Sequence, residues 1–318
     1  MQIGREENPE GLHSGRVAAF GPELAQLLVV GLWASTFVVT KAEFAEVSPL
    51  AFAFVRFGLM TLLAFVVLAA RRGRDWGIHR RDLPRFALAG LSGYTLYQLG
   101  FVLGLDRTSP FSSSLLIAMV PFFTMLMLSL KGERTRARGW AGLAIAIVGV
   151  LVFLADKQGT PGTLLGDLLS LGAAVSFAFY GVINRALVRD YPPETYTAYA
   201  VLAGSIPLLA VSTPAALAQN WAAVSAWGWA GILYMVVFPV YIAYMLWNWA
   251  IARRGAATAT TFSMLVPVVS GCLSALLLAE GFGVAKLLGA TLVIAGLIIV
   301  RTGRMGEKEV ARPVEETG

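Results

Sequence analysis

Four stripes of side chains combine aromatic rings with neutral hydrogen-bonding groups at helical spacing. Val29, Trp33, Thr36 and Thr40 recur every three or four residues and share one helix face, and Ala173, Phe177, Tyr180 and Asn184 repeat the pattern. Tyr94, Tyr97, Gln98 and Phe101 form a third stripe; Tyr234, Tyr241, Tyr244 and Asn248, with Trp247 beside them, form a fourth. Such sets suit binding: rings cover apolar groups and attract an ammonium, while Gln98, Asn184 and Asn248 offer amides to polar atoms. Two further runs, Ser112 to Ser114 and Thr258, Thr260, Thr261 and Ser263, precede Pro121 and Pro267. A proline removes a backbone donor and kinks a helix, freeing carbonyls near these hydroxyls. Pro121 and Pro267 are therefore hinge candidates, and Ser114 and Ser263 candidate contacts, with close helix packing by small residues an equally weighted reading. There is no Ser/His pair or nucleotide-binding glycine loop, His13 and His79 fall in polar connections, and Cys272 is the single cysteine. Neither catalysis nor a metal or other cofactor is expected.

The elements that must hold these stripes are membrane spans. The chain has 318 residues, 57% of them apolar and 14% charged, with a mean hydropathy of +0.70. That is too little polar surface to coat a soluble globule, so the bilayer must solvate most of it. A span needs about 20 mainly apolar residues. Ten fit: 22–41, 50–70, 84–105, 110–130, 139–155, 164–187, 195–213, 226–251, 256–279 and 283–301. Segments such as 141–154 are apolar throughout, which excludes the alternating pattern of a barrel. In this setting interface anchoring is the preferred reading of Trp221, Trp227 and Trp229, and stands level with a binding role for Tyr94 and Tyr234.

The net charge of +6 does not point to nucleic acid, because 20 of the 25 Lys and Arg fall on one side if the amino terminus is cytoplasmic. That bias, alternating from loop to loop, is the positive-inside signal and predicts both termini in the cytoplasm. Arg56 is the one charge well inside a span. Its expected role is structural, by snorkelling or by pairing with Glu43 or Glu46; binding an anionic substrate is the alternative. The spans otherwise hold almost no carboxylates, since Glu23 and Asp167 open their helices and Glu133 and Glu280 lie beyond span ends. No built-in proton relay is expected.

The chain also repeats. An offset of 144 residues brings Trp33-Ala34 onto Phe177-Ala178, Lys41 onto Arg185 and Ser48-Pro49 onto Pro192-Pro193. At 146, Arg107 meets Arg253 and Val120-Pro121 meets Val266-Pro267; at 147, Glu133 meets Glu280, and Gly142 and Gly149 meet Gly289 and Gly296. An offset of five spans reverses direction, so the halves would be inverted repeats, an arrangement tied to alternating access in secondary transporters. The predicted organisation is an all-α membrane fold of ten helices: a tail over 1–21, repeats over 22–155 and 156–301, and a tail over 302–318.

Trp33 to Phe37 with Lys41, Ser48-Pro49, Val55-Arg56-Phe57, Val120-Pro121, Glu133 and the Gly142/Gly149 pair resemble one EamA unit of the drug/metabolite transporter superfamily. The second half carries Gly166-Asp167, Phe177-Ala178, Val266-Pro267, Glu280 and Gly289/Gly296 in matching places, with Phe177 where the first half has tryptophan and Pro192 where it has serine. Size and layout are similar to bacterial exporters of amino acids and related metabolites, including the YddG-type aromatic amino acid exporters. The resemblance implies an inner-membrane location, a central cavity, small organic substrates, export, and a working single chain in the lipid bilayer. The expected function is export of a small, neutral or zwitterionic amphipathic metabolite, foremost an amino acid. A carrier for another solute class of the superfamily and a channel-like facilitator are the alternatives.

Overall fold

The computed structural model describes residues 9–70, 77–132, 137–155, 161–184, 187, 190–243, 246–247, 249–250 and 262–310. Among these the chain is helical, with no strand. Helix α1 runs Pro9–Glu43, α2 Pro49–Ala70, α3 Arg80–Arg107, α4 Pro110–Leu130, α5 Ala137–Ala155, α6 Pro161–Ile183, α7 Pro193–Ala218, α8 Ala226–Ile242, α9 Val266–Leu278 and α10 Val284–Val310. Seven of them, α1 to α7, are long and apolar enough to cross a bilayer, and the apolar parts of α8, α9 and α10 are shorter. In lipid every backbone polar group must be satisfied by the protein itself, and a helix does so within its own segment. The protein is therefore a multi-pass membrane protein.

Sequence chemistry sets the ends. Ser109 caps α4, accepting from the Ser112 N–H at 3.2 Å, with Pro110 in the first turn where its missing donor costs nothing. Ser225 caps α8 in the same way. Gly132 closes α4 at φ +89°, a conformation that a Cβ would strain. The helices outrun their apolar stretches: α1 starts at Pro9, inside the expected tail, and α10 continues to Val310.

Two kinds of irregularity interrupt the described spans. Residues Leu91–Leu96 of α3 and Val237–Ile242 of α8 are wound as π-helix. Helix α4 breaks between Ile117 and Val120, and a break at 264–265 precedes α9; Pro121 and Pro267 each fall in the first turn after the break. A ring without an N–H is tolerated there, and the broken turn frees carbonyls.

Because lipid tails are as apolar as leucine, packing between helices depends on close approach through small residues. Helices α5 and α10 touch backbone to backbone. A Cβ on Gly149 would lie 2.6 Å from the Val293 nitrogen, and one on Gly296 would lie 2.6 Å from the Gly142 oxygen. Gly90 meets Gly204 between α3 and α7, and Gly104 meets Gly166 between α3 and α6. The Thr61 hydroxyl of α2 donates to Ser205 of α7 at 2.8 Å, across a separation of 144 residues.

Candidate substrate site between the helices

The glycine contacts press α3 onto α6, and this brings two of the four stripes face to face. Tyr97 lies 5.0 Å from Phe177 and is stacked with Phe101 at 6.3 Å. Phe177 leads to Tyr180 at 5.3 Å, and Tyr180 meets Tyr94 edge-to-face at 5.7 Å. Aromatic pairs in these arrangements are favourable beyond their buried area. The polar tips form one chain: Asn184 Nδ2 donates to the Tyr196 hydroxyl (3.1 Å), which donates to Tyr180 (2.6 Å), whose oxygen is 3.5 Å from that of Tyr94. The π-helical turn ends at Leu96, so it sets the direction of Tyr94 relative to Tyr97, and such turns are frequent at functional sites. Gln98 is buried beside Tyr97, and its Nε2 has no partner among the described residues.

The α1 stripe faces elsewhere. Trp33 donates from Nε1 to the Pro239 carbonyl of the π-helical part of α8 at 3.2 Å and lies 4.9 Å from Trp247. Thr36 bonds its own Leu32 carbonyl, and the buried Thr40 hydroxyl points at Met235 Sδ, 4.0 Å away. Phe37 joins this seam to the α3 rings through Phe101, 5.5 Å away. Tyr241 and Ser263 are half-buried, Ser263 in helical backbone just before the break at 264–265. Ser114 is buried, its hydroxyl bonded to the Phe111 carbonyl at 2.9 Å. Tyr244, Asn248, Thr258, Thr260 and Thr261 lie outside the described residues.

Tyr234 belongs to neither group. It shares a 2.7 Å hydrogen bond with Ser35, stacks on Phe238 at 5.1 Å, and lines an open apolar groove of about 610 Å³ with Val39, Trp227 and Gly231. Trp227 is 85% exposed at the same place, as an interface anchor would be.

The charges differ most from expectation. Arg56 is only 8% exposed, so the protein covers it and it does not snorkel. Neither expected partner reaches it. Glu46 accepts from Ser225 N (2.7 Å) and Ser225 Oγ (2.8 Å), and these donors hold its carboxyl below the usual carboxylate range. Glu43 is the last residue of α1 rather than part of a loop; it is buried against Gly231, with Oε2 unbonded among the described residues. Asp167 lies in the second turn of α6, not the first, because that helix starts at Pro161; it is fully buried and accepts from the Thr108 hydroxyl at 2.6 Å.

That last contact belongs to a polar seam at one end of the bundle, which periodicity did not reveal. Lys41 Nζ donates to the carbonyls of Leu105 (2.7 Å), Asp106 (2.8 Å) and Thr108 (3.0 Å), an ammonium capping the end of α3. Ser170 donates to Ser113 at 2.9 Å, and Glu280 takes Lys286 at 2.5 Å together with the Ser274 hydroxyl. Burial pushes the Glu280 carboxyl up, but Lys286, Ser109 and Ser274 outweigh it and hold it below its ordinary value. The signal in the sequence was Lys41 at a span end followed by the helix start Thr108-Ser109-Pro110.

The chain matches the EamA-like transporter family over residues 22–155 and 164–302, and belongs to that family. Among its relatives, "Uncharacterized transporter YyaM" of Bacillus subtilis is 28% identical over 86% of this chain and 93% of that protein. The "Probable terminal-alkyne amino-acid exporter" of Streptantibioticus cattleyicolor is 29% identical over 90% and 95% of the two chains. The "Probable amino-acid metabolite efflux pump" of Escherichia coli is 28% identical over 89% and 96%. A solved crystal structure superimposes with a TM-score of 0.59 at 19% identity, covering 92% of this chain and 99% of the other, and so shares the fold.

Proposed function

We propose that this transporter exports small amphipathic metabolites, foremost aromatic or other neutral amino acids, by alternating access between two inverted five-helix units, 22–155 and 156–301. The observation that carries the reading is the α3/α6 face, where Tyr94, Tyr97, Phe101, Phe177 and Tyr180 adjoin the amides of Gln98 and Asn184. Rings suit an apolar side chain and an ammonium; amides suit the remaining polar atoms. The names of two relatives support an amino-acid substrate and outward transport.

Support for inversion comes from irregularities at equivalent positions. The π-helical turns at 91–96 and 237–242 are 146 residues apart, and so are the breaks at 118–119 and 264–265. Thr61 and Ser205, mates at the offset of 144, bond to each other as residues beside a two-fold axis would. Gly142 meets Gly296 while Gly149 meets Gly289, the exchanged pairs that such an axis generates. In this reading there are ten spans, Pro121 and Pro267 act as hinges, and one chain works alone in the cytoplasmic membrane of a bacterium with both termini inside.

Uptake into proteoliposomes tests the proposal, with radiolabelled amino acids supplied singly and with or without a pH gradient. Movement of phenylalanine, leucine or another neutral amino acid above empty liposomes is expected. Failure of every amino acid to move overturns the substrate assignment.

A further inference from the structure

Among the described residues Arg56 is a cation without a counter-ion. It sits seven residues into α2, roughly 10 Å below the start of the helix at 1.5 Å per residue. Its side chain is buried by the protein's own helices, and Nε has no hydrogen-bond partner among the described residues. The carboxylates that could have paired with it meet other groups: Glu46 accepts from Ser225, Glu43 packs against Gly231 of α8, and Asp167 accepts from Thr108. Phe57 lies under the guanidinium at 6.0 Å, the outer limit of a cation–π contact. A buried charge left unpaired is strongly destabilising, and an ionisable group inside a membrane protein that has no structural partner marks a ligand or ion path.

Its surroundings say what would complete it. Phe57, the residue after Arg56, packs in one apolar cluster with Phe101, which is stacked with Tyr97, the ring from which the aromatic face starts. On α3, Gln98 follows Tyr97 and is buried with its Nε2 unbonded among the described residues. Both unsatisfied groups, Arg56 Nε on α2 and Gln98 Nε2 on α3, are donors, and a carboxylate is an acceptor only, with lone pairs enough for both.

We propose that Arg56 binds the carboxylate of the transported solute, with the Gln98 amide as second donor, and that the site therefore selects free acids over the corresponding amines and esters. This rests on the amino-acid reading for the rest of the solute, since the rings of Tyr97, Phe101 and Phe177 would cover the side chain. A carboxylate meets the guanidinium through charge-assisted bonds, among the strongest available to a neutral zwitterion.

The test uses the full chain in proteoliposomes and measures competition and transport. The probes are phenylalanine and leucine; their decarboxylated amines, phenethylamine and isoamylamine; their methyl esters; and their des-amino acids, 3-phenylpropionate and 4-methylpentanoate. Expected for the wild type is a preference of about tenfold or more for each free amino acid over its amine and ester, the size of one charge-assisted bond. Arg56→Gln should remove that preference, and Arg56→Lys should keep part of it. Wild-type protein that accepts esters or amines as well as free acids overturns the proposal, and needs no variant. So does an Arg56→Gln protein that retains the full preference. If the des-amino acids move and the amino acids do not, the carboxylate assignment to Arg56 stands and the amino-acid reading falls; if no carboxylate moves, the Arg56 assignment falls.

Discussion

The crossing of α5 and α10 allows a substitution whose cost can be worked out from the structure. Gly149→Ala adds a Cβ that would lie 2.6 Å from the Val293 nitrogen, 2.9 Å from the Gly289 oxygen and 2.9 Å from Leu292 Cβ, against an ordinary contact of 3.4 Å or more. All three atoms belong to α10 and two are backbone, so no rotamer change relieves the clash. The helices must part by roughly 0.8 Å along their tightest contact, and overpacking of this kind costs about 1–3 kcal/mol. Gly172→Ala in α6 is the control, because nothing lies within 4 Å of its added Cβ. It carries only the helix-propensity change, a gain of at most about 1 kcal/mol for alanine. Thermal unfolding in detergent, followed by size-exclusion chromatography, should place Gly149→Ala several degrees below wild type and Gly172→Ala at or above it. Gly289→Ala should resemble Gly149→Ala, since its Cβ would lie 2.6 Å from the Phe153 nitrogen and 2.8 Å from the Gly149 oxygen. The double variant should cost less than the two together, because helices already parted by the first methyl accommodate the second. A Gly149→Ala protein as stable as Gly172→Ala, or strict additivity of the pair, would refute the close crossing.

Lys41→Met removes three carbonyl caps from the end of α3, and should lower stability by about 2 kcal/mol or more. In a Cys272→Ser background it should also speed labelling of Ser113→Cys by an impermeant maleimide; unchanged labelling would mean the cap does not hold that end together. Glu46 has a lowered pKa through the Ser225 N–H and hydroxyl, so its contribution is present above the ordinary value of 4.5 and is lost as pH falls through the lowered one. Melting temperature recorded from pH 7 to 3 should therefore fall at the acid end more steeply for wild type than for Glu46→Gln. Phe177→Ala should raise the KM for phenylalanine at least tenfold with a modest loss of stability. Trp33→Ala should chiefly lower stability, by about 3–5 kcal/mol, because Trp33 packs on α8 and bonds Pro239; the reverse pattern would exchange the roles of the two faces.

Some of this was legible in the sequence and some was not, for reasons that can be named. The positions of the seven long spans followed from apolar length and flanking charge, because the bilayer imposes both. Nothing of the kind announces the π-helical turn at Leu91–Leu96: Ser92, Gly93 and Thr95 are weak helix formers but do not say which winding results, and what packs on α3 there includes Gly204 and the Tyr180 ring laid over Gly93. Prolines did mark the breaks in α4 and before α9, since Pro121 and Pro267 each lack the donor an unbroken helix would use. The end of α1 was misplaced by two residues. That sufficed to put Glu43 in a loop on paper when it is a buried carboxylate on a helix.

Periodicity shows that residues share a face but not which neighbour the face meets. The α3 and α6 stripes meet each other, while the equally regular α1 stripe spends its indole N–H on a carbonyl freed in α8. What separates a face meant for a ligand from a face meant for a helix is whether its polar atoms are already satisfied. Trp33, Thr36 and Ser114 have their bonds within the protein, whereas Gln98 Nε2 and Arg56 Nε have none among the described residues. A buried donor without an acceptor costs free energy in every molecule of the resting protein. Under the proposed transport function it is tolerable where a passing solute supplies the acceptor, and the two donors, one on α2 and one on α3, would then take that solute's negative end while the rings of α3 and α6 cover its apolar end.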